Sequence, residues 1–139
     1  MSIHRQYLVF CMRGVRYGVA LDSCHEVNLR SRVYPVPRAR PHISGIMNLR
    51  GEVVTVIDLP SMFSPSKGEA SSGAVIRLKA GEHPIAIRVD AVEDILTTEN
   101  ALEPPPPHLA EEHLRLIAGV IQTENGIVQI IDPQGILRV

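Results

Sequence analysis

Gly45-Ile46-Met47-Asn48-Leu49-Arg50-Gly51-Glu52-Val53-Val54-Thr55-Val56-Ile57-Asp58-Leu59 is the stretch whose reading decides the fold. Two apolar runs flank Leu49-Arg50-Gly51, and the second, Val53 to Ile57, is entirely β-branched. Such residues suit a pleated, well-packed surface rather than a helix. Gly51 supplies a positive φ without a Cβ clash, so the segment predicts a hairpin with a tight turn. That turn holds Arg50, a planar cation with five donors, at the lip of an apolar hairpin.

Outward from the hairpin the chain continues in strand-sized pieces. Tyr7 to Met12 is apolar throughout, as expected of a strand buried on both faces. Arg13-Gly14 turns it into Val15 to Leu21, Asp22-Ser23 breaks that strand, and Cys24-His25-Glu26-Val27 resumes with alternating character. Pro35, Pro37 and Pro41 forbid a helix or a central strand and predict an extended surface crossover into the hairpin. Pro60 to Phe63 fits one helical turn, and Ser64 to Gly73 reads as a polar, flexible joint. A second round follows: Ala74 to Leu78, Ile85 to Val89 and Ala91 to Leu96 as strands, then four prolines, Pro104 to Pro107. The prolines impose a polyproline II rod, either a spacer or a ligand for a proline-binding module. Leu109 to Leu114 fits one or two helical turns. Ile117 to Gln122 and Ile127 to Ile131 form the last hairpin, turned at Glu124-Asn125-Gly126.

The chain repeats itself. Shifted by 74 residues, Gly45-Ile46-Met47-Asn48 lies on Gly119-Val120-Ile121-Gln122, and Val53 to Asp58 on Ile127 to Asp132. Shifted by 68, Tyr17 to Asp22 lies on Ile85 to Asp90 and Glu26-Val27 on Asp94-Ile95. About five strands per repeat are too few for a sandwich but enough for a small closed barrel, which also removes free edges. The fold class expected is all-β: one domain over residues 1–139 made of two five-stranded barrels packed side by side. Its approximate halves are 1–68 and 69–139, with exchange of strands between them left open. Lone cores of that size are marginal, so an apolar interface with a groove at its rim is expected between the halves. Leu49-Arg50-Gly51 falls on Thr123-Glu124-Asn125, so one copy of the turn has diverged in charge.

Bulk properties exclude several functions. The 139 residues carry 14 basic and 15 acidic side chains with no basic block standing out, which argues against nucleic acid as a partner. No run reaches the roughly 20 apolar residues of a membrane span, and the first residues lack a signal-peptide core. Cys11 and Cys24 make neither a disulfide framework nor a zinc spacing and read as reduced thiols of a soluble, cytoplasmic protein. The six scattered histidines offer no metal spacing, so no metal and no cofactor are expected. In Cys24-His25-Glu26, strand alternation points thiol and imidazole to opposite faces, which defeats a nucleophile–base pair. Asp58 and Asp132 read as caps of the turns that follow their strands. Glu26 and Arg50 each lie beside an apolar strand of the first repeat; they either pair across the barrel or stand as separate solvated charges.

Tyr17-Gly18, Glu26-Val27, Val36-Pro37, Gly45-x-x-Asn48-Leu49-Arg50-Gly51, Val56-Ile57-Asp58-Leu59, Val89-Asp90 and Gly119…Gly126-Ile127-Val128…Ile131-Asp132, taken in order, resemble a CheW-type chemotaxis coupling domain over Tyr7 to Leu137. The resemblance implies two five-stranded SH3-like barrels and a non-catalytic adaptor. Its implied partners are the cytoplasmic tip of a chemoreceptor and the regulatory domain of a CheA-type histidine kinase, without membrane insertion. It also implies a receptor-facing region at Arg50, Glu26 and Asn48, with Gly45 and Cys24 nearby; Gly51 and Gly126 are turn residues. Thr55 stands where the family often has proline and Cys24 where an aliphatic residue is common, and a C-terminal helix is expected to be short or absent. Two rival readings are a small-molecule sensor, and a kinase-regulatory domain without direct receptor contact.

Overall fold

A computed structural model describes residues 4–63, 73–108 and 111–137, the side chains of residues 112 and 113 excepted. The joint expected at Ser64 to Gly73 therefore lies, but for Gly73, outside the described residues. The strands are β1 (Arg5–Met12), β2 (Val15–Ala20), β3 (Cys24–Ser31), β4 (Ile43–Leu49), β5 (Glu52–Ile57), β6 (Gly73–Leu78), β7 (Ile85–Val89), β8 (Ala91–Thr98), β9 (Ile117–Thr123) and β10 (Gly126–Ile131). A 3-10 turn (Leu21–Ser23) follows β2, and three short helices complete the chain: α1 (Pro60–Phe63), α2 (Glu111–Leu116) and α3 (Pro133–Leu137). The expected C-terminal helix is thus present as five residues.

The strands form two five-stranded sheets, in the orders β8-β1-β2-β10-β9 and β3-β6-β7-β5-β4. Each sheet draws on both repeats, and the exchange is reciprocal: the third, fourth and fifth strands of one repeat join the first two of the other. The two parallel junctions show this. Thr55 pairs with Ile85 and Val56 with Ala86 in one sheet, while Gln129 pairs with Tyr17 and Ile130 with Gly18 in the other. These are the same pairs under the shifts of 74 and 68 read from the sequence. Both sheets close in the same way. The chain leaving β3 bridges β4 at Tyr34 and Ile46, and the chain leaving β8 bridges β9 at Glu103 and Val120.

Closure requires backbone to meet backbone. A Cβ on Gly45 would strike the carbonyl oxygen of Tyr34, and one on Gly119 would lie 2.8 Å from that of Glu103. Glycine at these two places is what admits the crossover to the sheet.

The unbroken apolar character of the inner strands has a physical cause: they lie between two cores. Along β1, Tyr7 and Val9 enter the interior of the first barrel with Ile121, Val128 and Ile130. Their neighbours Leu8, Phe10 and Met12 enter a core shared by both barrels. In the second barrel Val75 and Ala86 face its own interior, while Ile76, Leu78, Ile85 and Ile87 face the shared core. Each full burial of such a side chain stabilises by about 1.5–3 kcal/mol. The interface between the barrels is apolar, as the marginal size of each implies.

A polar latch ties the barrels at one end of this core. Arg13 turns β1 into β2 with φ 50°, and its amide donates to Asp90 Oδ2 at 2.8 Å. Its guanidinium lies 3.2 Å from Asp58 Oδ2, a carboxylate only 1% exposed that also accepts from Ser61 Oγ. Asp58 thus caps α1 as expected, and Asp132 does the same for α3 by accepting from the Gln134 amide at 3.0 Å. Tyr17, stacked between Phe10 and Phe63 beside this latch, has its phenol pushed up to about 12, chiefly by burial.

Two glycine substitutions separate closure from turn geometry. Gly45→Ala is expected to destabilise by more than about 2 kcal/mol in urea unfolding, because backbone must move. Gly51→Ala, with open space around the site but φ 85°, is expected to cost only about 1 kcal/mol. Equal costs would contradict the close approach at Tyr34.

Candidate functional site

The turn between β4 and β5 is tighter than the sequence suggested. Leu49 pairs with Glu52 and is buried within the strand, so only Arg50 and Gly51 form the loop. Their φ values, 54° and 85°, are those of a primed two-residue hairpin turn. Asn48 makes this conformation affordable for a non-glycine residue: its Oδ1 accepts the Gly51 amide at 2.8 Å. Arg50 consequently projects from a fixed backbone.

Closure of the second barrel puts β3 opposite this turn. Glu26 Oε2 lies 3.2 Å from the Arg50 guanidinium, so of the two readings the structure has the pair. The partners differ sharply in exposure, 82% for the Arg50 side chain and 19% for Glu26. Such a pair contributes about 0–1 kcal/mol to stability. The other carboxylate oxygen, Glu26 Oε1, is buried without a hydrogen-bond partner. An unsatisfied buried acceptor costs about 1–3 kcal/mol.

The second barrel leaves several large apolar side chains exposed, among polar ones such as His25, Arg32, Asn48 and Glu52. Val27 and Leu29 on β3, Tyr34 in the crossover, Ile46 on β4 and Val53 on β5 are all exposed, Val53 to 62%. Sequence reading assigned none of these to a site. The clearest case is Ile46, exposed between buried Gly45 and Met47 at an outward position where a polar residue is usual.

The other residues singled out in the sequence occupy different places. Gly45 is buried at the closure seam, adjoining the site through the backbone only. Cys24 is half-buried at the start of β3, its thiol directed to the Ala20 carbonyl at 3.7 Å and pushed up to about 11, mainly by burial. His25 is exposed on the opposite side of the strand, as alternation required. His42 is shifted down, first by burial and then by Arg40. Gly126 opens β10 with φ 116°. Among the described residues no group of three or more His, Cys, Asp or Glu side chains could hold a metal ion, and no helix is long and apolar enough to cross a membrane.

Two barrels joined by a shared apolar core, with large apolar side chains left exposed on their surface, have the features of a protein-interaction module. The CheW-like domain family model matches residues 6–139, and the chain belongs to that family. Chemotaxis protein CheW of Bacillus subtilis (strain 168) is 26% identical over 132 residues, 94% of this chain and 85% of the relative. Protein FrzA of Myxococcus xanthus is 35% identical over 121 residues, 81% of this chain and 72% of the relative. The crystal structure of the scaffolding protein TtCheW from Thermoanaerobacter tengcongensis superposes with a TM-score of 0.80 at 28% identity, covering 95% of this chain and 86% of that one.

Burial of Cys24 has a kinetic consequence. In a Cys11→Ser background, alkylation of Cys24 by iodoacetamide is expected to rise with pH toward a midpoint near 11. An exposed thiol would have its midpoint near 8.5. A midpoint below 9 would show that the thiol is not sheltered behind β3.

Proposed function

We propose that the chain is a non-catalytic chemotaxis adaptor of the cytoplasm that couples chemoreceptors to a CheA-type histidine kinase by presenting surfaces. The single observation that carries the site is Arg50, 82% exposed on a two-residue turn and held 3.2 Å from Glu26. Membership of the CheW-like family and the likeness to a scaffolding protein support the adaptor role.

In this reading the receptor tip lies on the outer face of β3–β4–β5. Val27, Leu29, Ile46 and Val53 supply apolar contact, and Arg50 supplies a directed charge-assisted hydrogen bond. Glu26 limits the rotamers of Arg50 before the partner arrives, which lowers the entropy lost on binding. Asn48 acts one step back, by fixing the turn. Gly45 acts by letting the seam close, and Cys24 packs beneath β3.

Arg50→Glu is expected to abolish binding to a chemoreceptor cytoplasmic fragment, a loss of at least about 100-fold, with the melting temperature within a few degrees of wild type. Sedimentation or calorimetry with the purified fragment reads this directly. Binding within threefold of wild type would remove Arg50 from the receptor site while leaving the fold intact.

A further inference from the structure

The hairpin turns of the two repeats occupy equivalent places but differ in chemistry. Arg50 and Gly51 join β4 to β5, each with a positive φ. Glu124 and Asn125 join β9 to β10, where Thr123 pairs with Gly126. In this turn the positive φ, 116°, falls on Gly126, and neither Glu124 nor Asn125 has one. Asparagine therefore stands directly before the glycine, an order that the turn of the other barrel lacks.

That order makes the turn reactive. Asparagine is thermolabile because the backbone nitrogen of the next residue can attack its side-chain amide carbon and close a five-membered imide. A side chain on the next residue shields that nitrogen and stiffens the backbone, and glycine does neither. Of the four asparagines, Asn28 and Asn48 precede leucine, Asn100 precedes alanine, and Asn125 alone precedes glycine. Asn28 and Asn48 also have their side-chain oxygens engaged, by the Arg30 amide at 3.1 Å and the Gly51 amide at 2.8 Å.

Nothing around Gly126 obstructs the attack. A Cβ built on it meets no atom within 4 Å, and both Asn125 and Gly126 are exposed. The Asn125 side chain makes no hydrogen bond among the described residues. The ends of the turn are held by other groups: Thr123 Oγ1 donates to the Gly126 carbonyl at 2.8 Å, and Arg16 Nη1 donates to Thr123 Oγ1 at 3.1 Å. The Asn125 amide can therefore swing toward the Gly126 nitrogen without displacing a packed side chain.

We infer that Asn125 is a site of spontaneous, imide-forming deamidation. The Gly126 nitrogen bonds to Asn125 Cγ, the Cγ–Nδ2 bond breaks, and ammonia leaves carrying the proton of the Gly126 amide. Water then opens the imide at either carbonyl. One opening gives aspartate and the other isoaspartate, whose backbone is longer by one methylene. Water is the only other reactant, and nothing is oxidised or reduced. Either product adds a carboxylate beside a cleft of about 560 Å³ between β8 and β9, which Asp94 and Glu124 already line. Arg16, the only cation among the lining residues, is committed to Glu93 at 2.9 Å. The tip of the first barrel becomes more acidic while the Arg50 turn is untouched, so this inference and the receptor site can each fail alone.

Peptide mapping of the folded full chain, aged in mildly alkaline buffer, tests the reaction. Trypsin places each asparagine in its own peptide, with Asn125 in the one from Leu116 to Arg138. That peptide is expected to gain about 1 Da, the difference between NH2 and OH, at least about tenfold faster than the other three. Its product is expected to contain both aspartate and isoaspartate. Gly126→Ala is expected to slow the gain at least about tenfold. Because alanine strains the turn at that φ, Asn125→Ser serves as a second variant, expected to melt like wild type and to form no acidic species on ion exchange over the same interval. An unmodified Leu116–Arg138 peptide, deamidation spread evenly over the four peptides, or aspartate without isoaspartate would each overturn the proposal. So would a wild-type rate in Gly126→Ala, or acidic species forming at the wild-type rate in Asn125→Ser.

Discussion

A barrel of five short strands closes only where its crossover can lie directly on the sheet, and here that approach depends on the missing side chains of Gly45 and Gly119. With the Tyr34 carbonyl seated over Gly45, the open edges of β3 and β4 are drawn together. That closure brings Glu26 opposite the Arg50 turn, and the same closure at Gly119 sets Asp94 and Glu124 on a common cleft. The chemistry of both surfaces thus follows from one backbone constraint used twice.

Duplication with strand exchange explains how so small a chain builds a core. Neither barrel has an independent core of much size. The shared core, with Phe10 and Met12 from one side and Ile76 and Ile87 from the other, makes the two into one body. The Arg13–Asp58 latch closes one end of that core with a buried carboxylate that needs its partner. On such a body the repeats are free to diverge at exposed turns, because a change from arginine to glutamate there costs little stability. Divergence in charge at equivalent geometry leaves the two turns unlike, with Arg50 in one barrel and Glu124 in the other.

Much of this was legible in the sequence, for identifiable reasons. β-branched runs, glycine turns and prolines are local features, and they located every strand described and the helical turn after Leu59. The shifts of 68 and 74 even carried the register of the parallel junctions. Which repeat each strand would join was not readable, because the pairs β2–β10 and β5–β7 join residues far apart along the chain and either partner would bury the same apolar faces. The Arg13–Asp58 latch was missed because Arg13-Gly14 looked like a plain turn; a carboxylate ending a fully apolar strand should have prompted a search for its cation. That Glu26 and Arg50 could pair was legible because opposite charges flanked apolar strands of one repeat, although separate solvated charges fitted the sequence as well. The exposure of Val27, Leu29, Ile46 and Val53 was not legible, because an apolar residue in a strand reads first as core.

The central claim is that the Glu26–Arg50 pair exists to orient a binding group rather than to hold the barrel together. A double-mutant cycle with Glu26→Gln and Arg50→Gln, measured once in urea unfolding and once in binding to a chemoreceptor cytoplasmic fragment, separates these roles. The account predicts a coupling below about 1 kcal/mol in stability and above about 1.5 kcal/mol in binding. Additive effects on binding, or a coupling confined to stability, would contradict it.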